Sequence, residues 1–142
     1  MKKFLFIIIA LLALISCGGD SYVMRNPYLN AGSFSAPIDI TLPSYDNLRY
    51  VANPVVVTVD GWGINGLIIM NTGSGYVAWE NSCPNQELSS CSVLRVSGAY
   101  AKCPCDDVQY SLFTGQPTTP TTYNLKAYRI EMISSTAIRV YN

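Results

Sequence analysis

The sequence predicts an all-β domain, a sandwich or small barrel of antiparallel strands, and three observations carry that reading. Aromatic residues make up 11% of the 142-residue chain and ten of them are Tyr, which strands favour. Ten Gly and eight Pro are spread along the chain rather than clustered, which supplies turns at short intervals. Beyond the N-terminal apolar stretch no segment carries apolar side chains at helical spacing, whereas alternating and β-branched runs recur.

Each expected strand has a local reason. Residues 37–42 alternate around Ile38, Ile40 and Leu42, as a half-buried strand does, and Pro43-Ser44-Tyr45-Asp46-Asn47 ends it as a turn cluster. The run Val55-Val56-Val57-Thr58-Val59 reads as a buried strand, followed by the turn dipeptides Asp60-Gly61 and Asn65-Gly66. Strands at 67–70 and 76–79 form a hairpin across Asn71-Thr72-Gly73-Ser74-Gly75. Residues 92–96 pair with 100–102 across Ser97-Gly98, and 108–113 form a strand ended by Thr114-Gly115. The chain closes with a hairpin of 125–133 and 137–141 through Ser134-Ser135. Trp79 lies on a strand and reads as core. Trp62, between two glycines, suits either an exposed binding aromatic or a cover for the end of the core.

The chain is long enough for one small core. Charged residues are 13% of it and the formal net charge is zero, with no basic run, so nucleic acid is not an expected partner. Before the domain stands a tripartite segment. Lys2 and Lys3 precede an apolar stretch over 4–14, too short for the roughly twenty residues of a spanning helix. Leu14-Ile15-Ser16-Cys17 then reads as a lipobox. The expectation is a lipoprotein signal cleaved after residue 16, lipidation at Cys17, a tether over 17–33 with breakers at Asn26-Pro27 and Gly32, and a β domain over 34–142. Lipid chains at Cys17 would hold the protein on a membrane of the cell envelope, at the outer membrane or the periplasmic face.

Four further cysteines remain: Cys83, Cys91, Cys103 and Cys105. An even count in an exported chain favours two disulfides. A bond within Cys103-Pro104-Cys105 would close a strained ring, which leaves two cross-pairings between 83/91 and 103/105. Pro84 and Pro104 stiffen both loops.

These cysteines also carry a resemblance. Ser82-Cys83-Pro84-Asn85, then Cys91, then Lys102-Cys103-Pro104-Cys105-Asp106-Asp107-Val108-Gln109-Tyr110-Ser111-Leu112-Phe113-Thr114-Gly115 resembles the paired cluster loops of the Rieske iron–sulfur domain, with Asn124-Leu125-Lys126-Ala127-Tyr128-Arg129-Ile130 similar to the strand that follows them. The resemblance spans about 36–142. It implies a Rieske-like β domain with both cysteine loops at one end, Cys83 and Cys103 at the cluster-cysteine positions, and Asn85 and Asp106 where two ligand histidines belong. It further implies Cys91 and Cys105 as a loop-bridging disulfide, and Cys83 near enough to Cys103 to bond in the absence of iron. The chain contains no His, so the two-His iron of a 2Fe–2S Rieske centre has no ligands here. Degenerate chains of this kind resemble lipoproteins of Bacteroidetes-type bacteria.

The functional expectation is therefore a non-catalytic binding or structural module without metal or cofactor, its partner an envelope protein or a glycan. The alternative is an extracytoplasmic redox or metal protein using Cys83 and Cys103, through a 2Fe–2S cluster, zinc or dithiol chemistry. No nucleophile–base pair or phosphate loop points to an enzyme. Asp106-Asp107 reads as a solvated loop tip rather than a catalytic carboxylate pair.

Overall fold

The structure, a computed structural model, describes residues 25–142. The expected signal, the lipobox and Cys17 lie outside the described residues. The all-β expectation is met: nine antiparallel strands form a six-stranded sheet in the order β1-β9-β8-β4-β3-β2 and a three-stranded sheet in the order β5-β6-β7. The strands are β1 (Ser35–Asp39), β2 (Val55–Val57), β3 (Leu67–Asn71), β4 (Tyr76–Glu80), β5 (Arg95–Ser97), β6 (Tyr100–Lys102), β7 (Gln109–Ser111), β8 (Ala127–Ser134) and β9 (Ala137–Tyr141).

Strand β3 explains why there are two layers of core. Its side chains alternate across the sheet, as strand geometry requires. Leu67 and Ile69 join a core with Ala36, Ile38, Leu48, Val57, Ala78, Ile138 and Val140. Ile68 and Met70 face the other way, against Trp79, Leu94, Tyr110, Leu112, Cys83 and Cys103. An unbroken apolar run is what burial on both faces demands. The small sheet and the cysteine loops thus cover one face of the β3–β4 hairpin, while β1, β8, β9 and the loop before β2 close the other.

The hairpins at 71–75 and 134–135 stand where the turn residues place them. Other expectations need correction. The cluster at 43–47 is the start of a 3-10 helix, Pro43–Arg49, which buries Leu48. Pro43 presets the first turn, and the Tyr45 amide donates to the Leu42 carbonyl at 2.9 Å. The strand expected over 37–42 accordingly stops at Asp39, whose carboxylate accepts from the Thr41 amide and hydroxyl at 2.9 and 2.6 Å and turns the chain. The run 55–59 is not a buried strand. It pairs on one side only, with β3, and leaves the sheet after Val57, so Val56 is 43% and Val59 44% exposed. Strands β5 and β7 are shorter than expected.

The segment before the domain is packed against it from Asn26 on. Leu29 is buried, Tyr28 meets Tyr123 edge to face, and the Asn26 amide donates to the Pro84 carbonyl at 2.7 Å. At the far end Asn142 donates to the carbonyls of Ala31 and Gly32. Residues 26–32, expected as tether, are in this way held to both the first cysteine loop and the C-terminus.

Candidate functional site

Strand β4 delivers the first cysteine loop. Its last residue, Glu80, is fully buried, and its carboxylate accepts from the Ile64 and Asn65 amides (2.7 and 3.0 Å), the Ser82 hydroxyl (2.7 Å) and the Tyr128 hydroxyl (2.5 Å). This anchors the 61–66 loop and β8 to the strand just before Cys83. Trp62 in that loop is half-buried against the core. Burial pushes the Tyr128 phenol well above its ordinary range, and the Glu80 carboxylate adds to the effect by accepting its hydrogen and by its charge.

The first loop, 83–92, closes on itself. The Cys83 amide donates to the Ser92 carbonyl (2.8 Å), and the buried Ser92 hydroxyl accepts from the Ser89 amide (2.8 Å). The second loop runs from β6 to β7. The Cys103 amide donates to the Val108 carbonyl (2.9 Å) and the Asp107 amide to the Cys103 carbonyl (3.0 Å). Asp107 adopts φ 61°, a left-handed conformation that Asp tolerates better than most residues. The two loops meet at one end of the domain, over the core behind β3.

There the structure joins Cys83 to Cys103 and Cys91 to Cys105, with Cα atoms 5.5 and 5.2 Å apart. The inner bridge is fully buried. In the outer one Cys91 is exposed and Cys105 half-buried. The sulfurs of Cys83, Cys103 and Cys105 all lie within 4.8 Å of one another. Polar groups ring them: Gln86 Nε2 donates to Cys103 Sγ at 3.6 Å, the Ser89 hydroxyl lies 3.3 Å from Cys91 Sγ and 3.7 Å from Cys105 Sγ, and the Ser92 hydroxyl lies 4.0 Å from Cys105 Sγ. Nothing in the sequence singled out Gln86, Ser89 or Ser92.

The two positions that the Rieske resemblance assigns to histidine serve the backbone. Asn85 Nδ2 donates to the Tyr110 hydroxyl (2.8 Å) and the Tyr123 carbonyl (2.9 Å), while its Oδ1 accepts from the Tyr123 amide (2.8 Å). It clamps the first loop to the segment before β8. Burial raises the Tyr110 phenol, which the Asn85 bond partly offsets. Asp106 Oδ1 accepts from the Val108 amide (3.0 Å) and caps the second loop. Asp107 pairs with Lys102 at 2.8 Å on the exposed rim, and that bond and charge hold its carboxyl below the usual range.

A 2Fe–2S Rieske centre does not fit this donor set. The chain has no imidazole, Asn85 has both amide atoms engaged, and the two cysteines that would face one iron are bonded to each other. Thiolates are zinc ligands, and Cys83, Cys103 and Cys105, whose sulfurs lie within 4.8 Å of one another, are the residues that would offer them once the bridges are reduced.

What the fold and site define is an all-β domain of two sheets whose two cysteine loops meet at one end and are tied by two adjacent disulfides. No protein-family model matches the chain, and no curated relative does. Among solved structures it is similar to the ferredoxin of carbazole 1,9a-dioxygenase from Nocardioides aromaticivorans IC177, at 23% identity over 74% of this chain and 96% of that one, with a TM-score of 0.45. It is also similar to a protein from Mycobacterium tuberculosis described as an NADH-dependent nitrite reductase small subunit, at 16% identity over 78% of this chain and 96% of that one, with a TM-score of 0.46.

Proposed function

We propose that this chain is a cell-envelope lipoprotein whose Rieske-like domain has exchanged its iron–sulfur cluster for two disulfides and acts as a non-catalytic binding or structural module. One observation carries the reading. The two cysteines at the cluster positions, Cys83 and Cys103, are bonded to each other, and the residues at the histidine positions, Asn85 and Asp106, are spent on holding loops. The bridges then replace the metal as the tie between the loops. They close loops with sequence separations of 20 and 14, each worth about 3 kcal/mol in the chain-entropy account.

The lipoprotein part rests on the lipobox and on Cys17. A binding role is supported by a cleft of about 1050 Å³ between the 25–31 segment and residues 122–127, lined among others by Asn30, Tyr123, Asn124, Lys126 and Asn142. Amide groups beside an aromatic ring suit a glycan or the polar face of an envelope protein.

The test is direct. The protein purified with its soluble domain intact is expected to hold no stoichiometric iron or zinc and to show no charge-transfer absorbance in the visible range. Such absorbance, with two irons per chain, would overturn the reading in favour of a redox protein. For the anchor, the full chain is expected to incorporate labelled fatty acid and the Cys17→Ser chain to incorporate none. Equal labelling of both would refute it.

A further inference from the structure

We propose that the cysteine end is a thiol–disulfide exchange site: reduction of the outer bridge by an external dithiol lets Cys105 take over Cys83, so that the inner bridge moves from Cys83–Cys103 to Cys83–Cys105. The inference rests on the disulfide-for-cluster reading and goes beyond it, because it makes one bridge reactive and the other mobile.

The arrangement of the sulfurs carries the argument. Cys91 Sγ belongs to an exposed residue, so a thiolate from solvent reaches the outer bridge and not the buried inner one. Attack on Cys91 Sγ breaks the Cys91–Cys105 bond and leaves a thiolate on Cys105. The second thiol of the reductant then resolves the mixed disulfide and frees Cys91. The external dithiol is oxidised by two electrons to its own disulfide, and the outer bridge is reduced by the same two. The freed Cys105 sulfur is not isolated. It stands within 4.8 Å of both Cys83 Sγ and Cys103 Sγ, with the Ser89 hydroxyl 3.7 Å away to donate to the thiolate.

From there exchange needs no further reductant. The Cys105 thiolate attacks Cys83 Sγ, the Cys83–Cys105 bond forms, the Cys83–Cys103 bond breaks, and the electron pair leaves on Cys103, which takes up a proton. Attack on Cys103 Sγ instead would close a ring across the single residue Pro104, which is strained. The departing Cys103 sulfur already accepts a hydrogen bond from Gln86 Nε2 at 3.6 Å, a contact that strengthens when the sulfur becomes anionic. The product keeps one tie between the two loops and carries thiols at Cys91 and Cys103. The domain thus responds to an external dithiol without losing its last crosslink.

The experiment uses the full chain. Untreated protein is alkylated, cleaved at Lys102 and Glu87 without reduction, and sequenced by tandem mass spectrometry, which assigns label to Cys103 or Cys105. The same mapping is done after one equivalent of dithiothreitol and on the Cys91→Ser chain, each quenched in acid. The expected result in both is a Cys83–Cys105 bond beside the Cys83–Cys103 bond, with label shared between Cys103 and Cys105. Label confined to Cys105, with Cys83–Cys103 intact in both samples, overturns the exchange and leaves the proposed function standing. Untreated protein that lacks the two bridges overturns both. Dithiothreitol treatment of the unaltered chain decides the matter if Cys91→Ser fails to fold.

Discussion

Two side chains show how this domain handles polar groups in its interior. Glu80 is a fully buried carboxylate that makes no ion pair among the described residues and is stabilised by four donors from three parts of the chain. Tyr128 is one of those donors, and its phenol is pushed up by burial and by Glu80. In the unfolded chain the phenol ionises near its ordinary 10.0, whereas folded Tyr128 keeps its proton to higher pH. Its contribution is therefore complete below about pH 10 and is lost as the pH rises further. Urea midpoints measured from about pH 8 to about pH 11 should fall in the upper part of that range, and Tyr128→Phe should flatten the fall. An identical slope in the variant would assign the loss elsewhere. Asn85 is the second case. Asn85→Ala leaves the Tyr123 amide without its acceptor and removes a donor from the Tyr110 hydroxyl, and should cost about 2 kcal/mol, read as a lower urea midpoint with unchanged disulfide pairing. A metal ligand at that position would instead show itself as lost metal with the variant.

At the scale of elements, the contact between the two sheets is set by Trp79 and Gly115. The Trp79 ring lies in the second core, and its Nε1 donates to the Leu112 carbonyl at 2.9 Å. Gly115 turns the chain after β7 with φ 73°, and a Cβ there would come within 2.6 Å of the Trp79 ring. Both backbone and packing exclude a side chain, so Gly115→Ala should cost ~2–4 kcal/mol, measured by urea unfolding. A change below about 0.5 kcal/mol would show that the ring and turn move apart freely. The same elements show what a sequence can and cannot convey. The β3–β4 hairpin was legible because four consecutive apolar residues and a Gly-rich turn admit few other conformations. The run at 55–59 looked the same but sits at a sheet edge, and sequence says nothing of how many neighbours a strand has. The 3-10 helix at Pro43–Arg49 was hidden because Pro, Ser, Asp and Asn favour a turn and a 3-10 start alike.

Over the whole molecule the two bridged cysteine loops meet at one end, and the rest of the domain is arranged around them. β4 leads into one loop, β6 into the other, and Asn26 and Asn85 fasten the first loop to both flanking segments. The four cysteines and the missing His were plain in the sequence, whereas Glu80, Gln86 and Ser92 became visible only once the fold brought distant residues together. The inner bridge is packed among Leu94, Ala101, Tyr110 and Leu112. Its loss opens the core as well as the chain, so Cys83→Ser with Cys103→Ser should lower the urea midpoint more than Cys91→Ser with Cys105→Ser. Equal effects would mean that loop closure alone matters. The most direct measurement of the central claim is a thiol count on the purified, denatured and unreduced chain, with Cys17 lipidated or replaced, alongside its iron and zinc content. Bridges in place of a cluster predict no reactive thiol among Cys83, Cys91, Cys103 and Cys105 and no stoichiometric metal. Free thiols at Cys83 and Cys103, released together with iron, would contradict it.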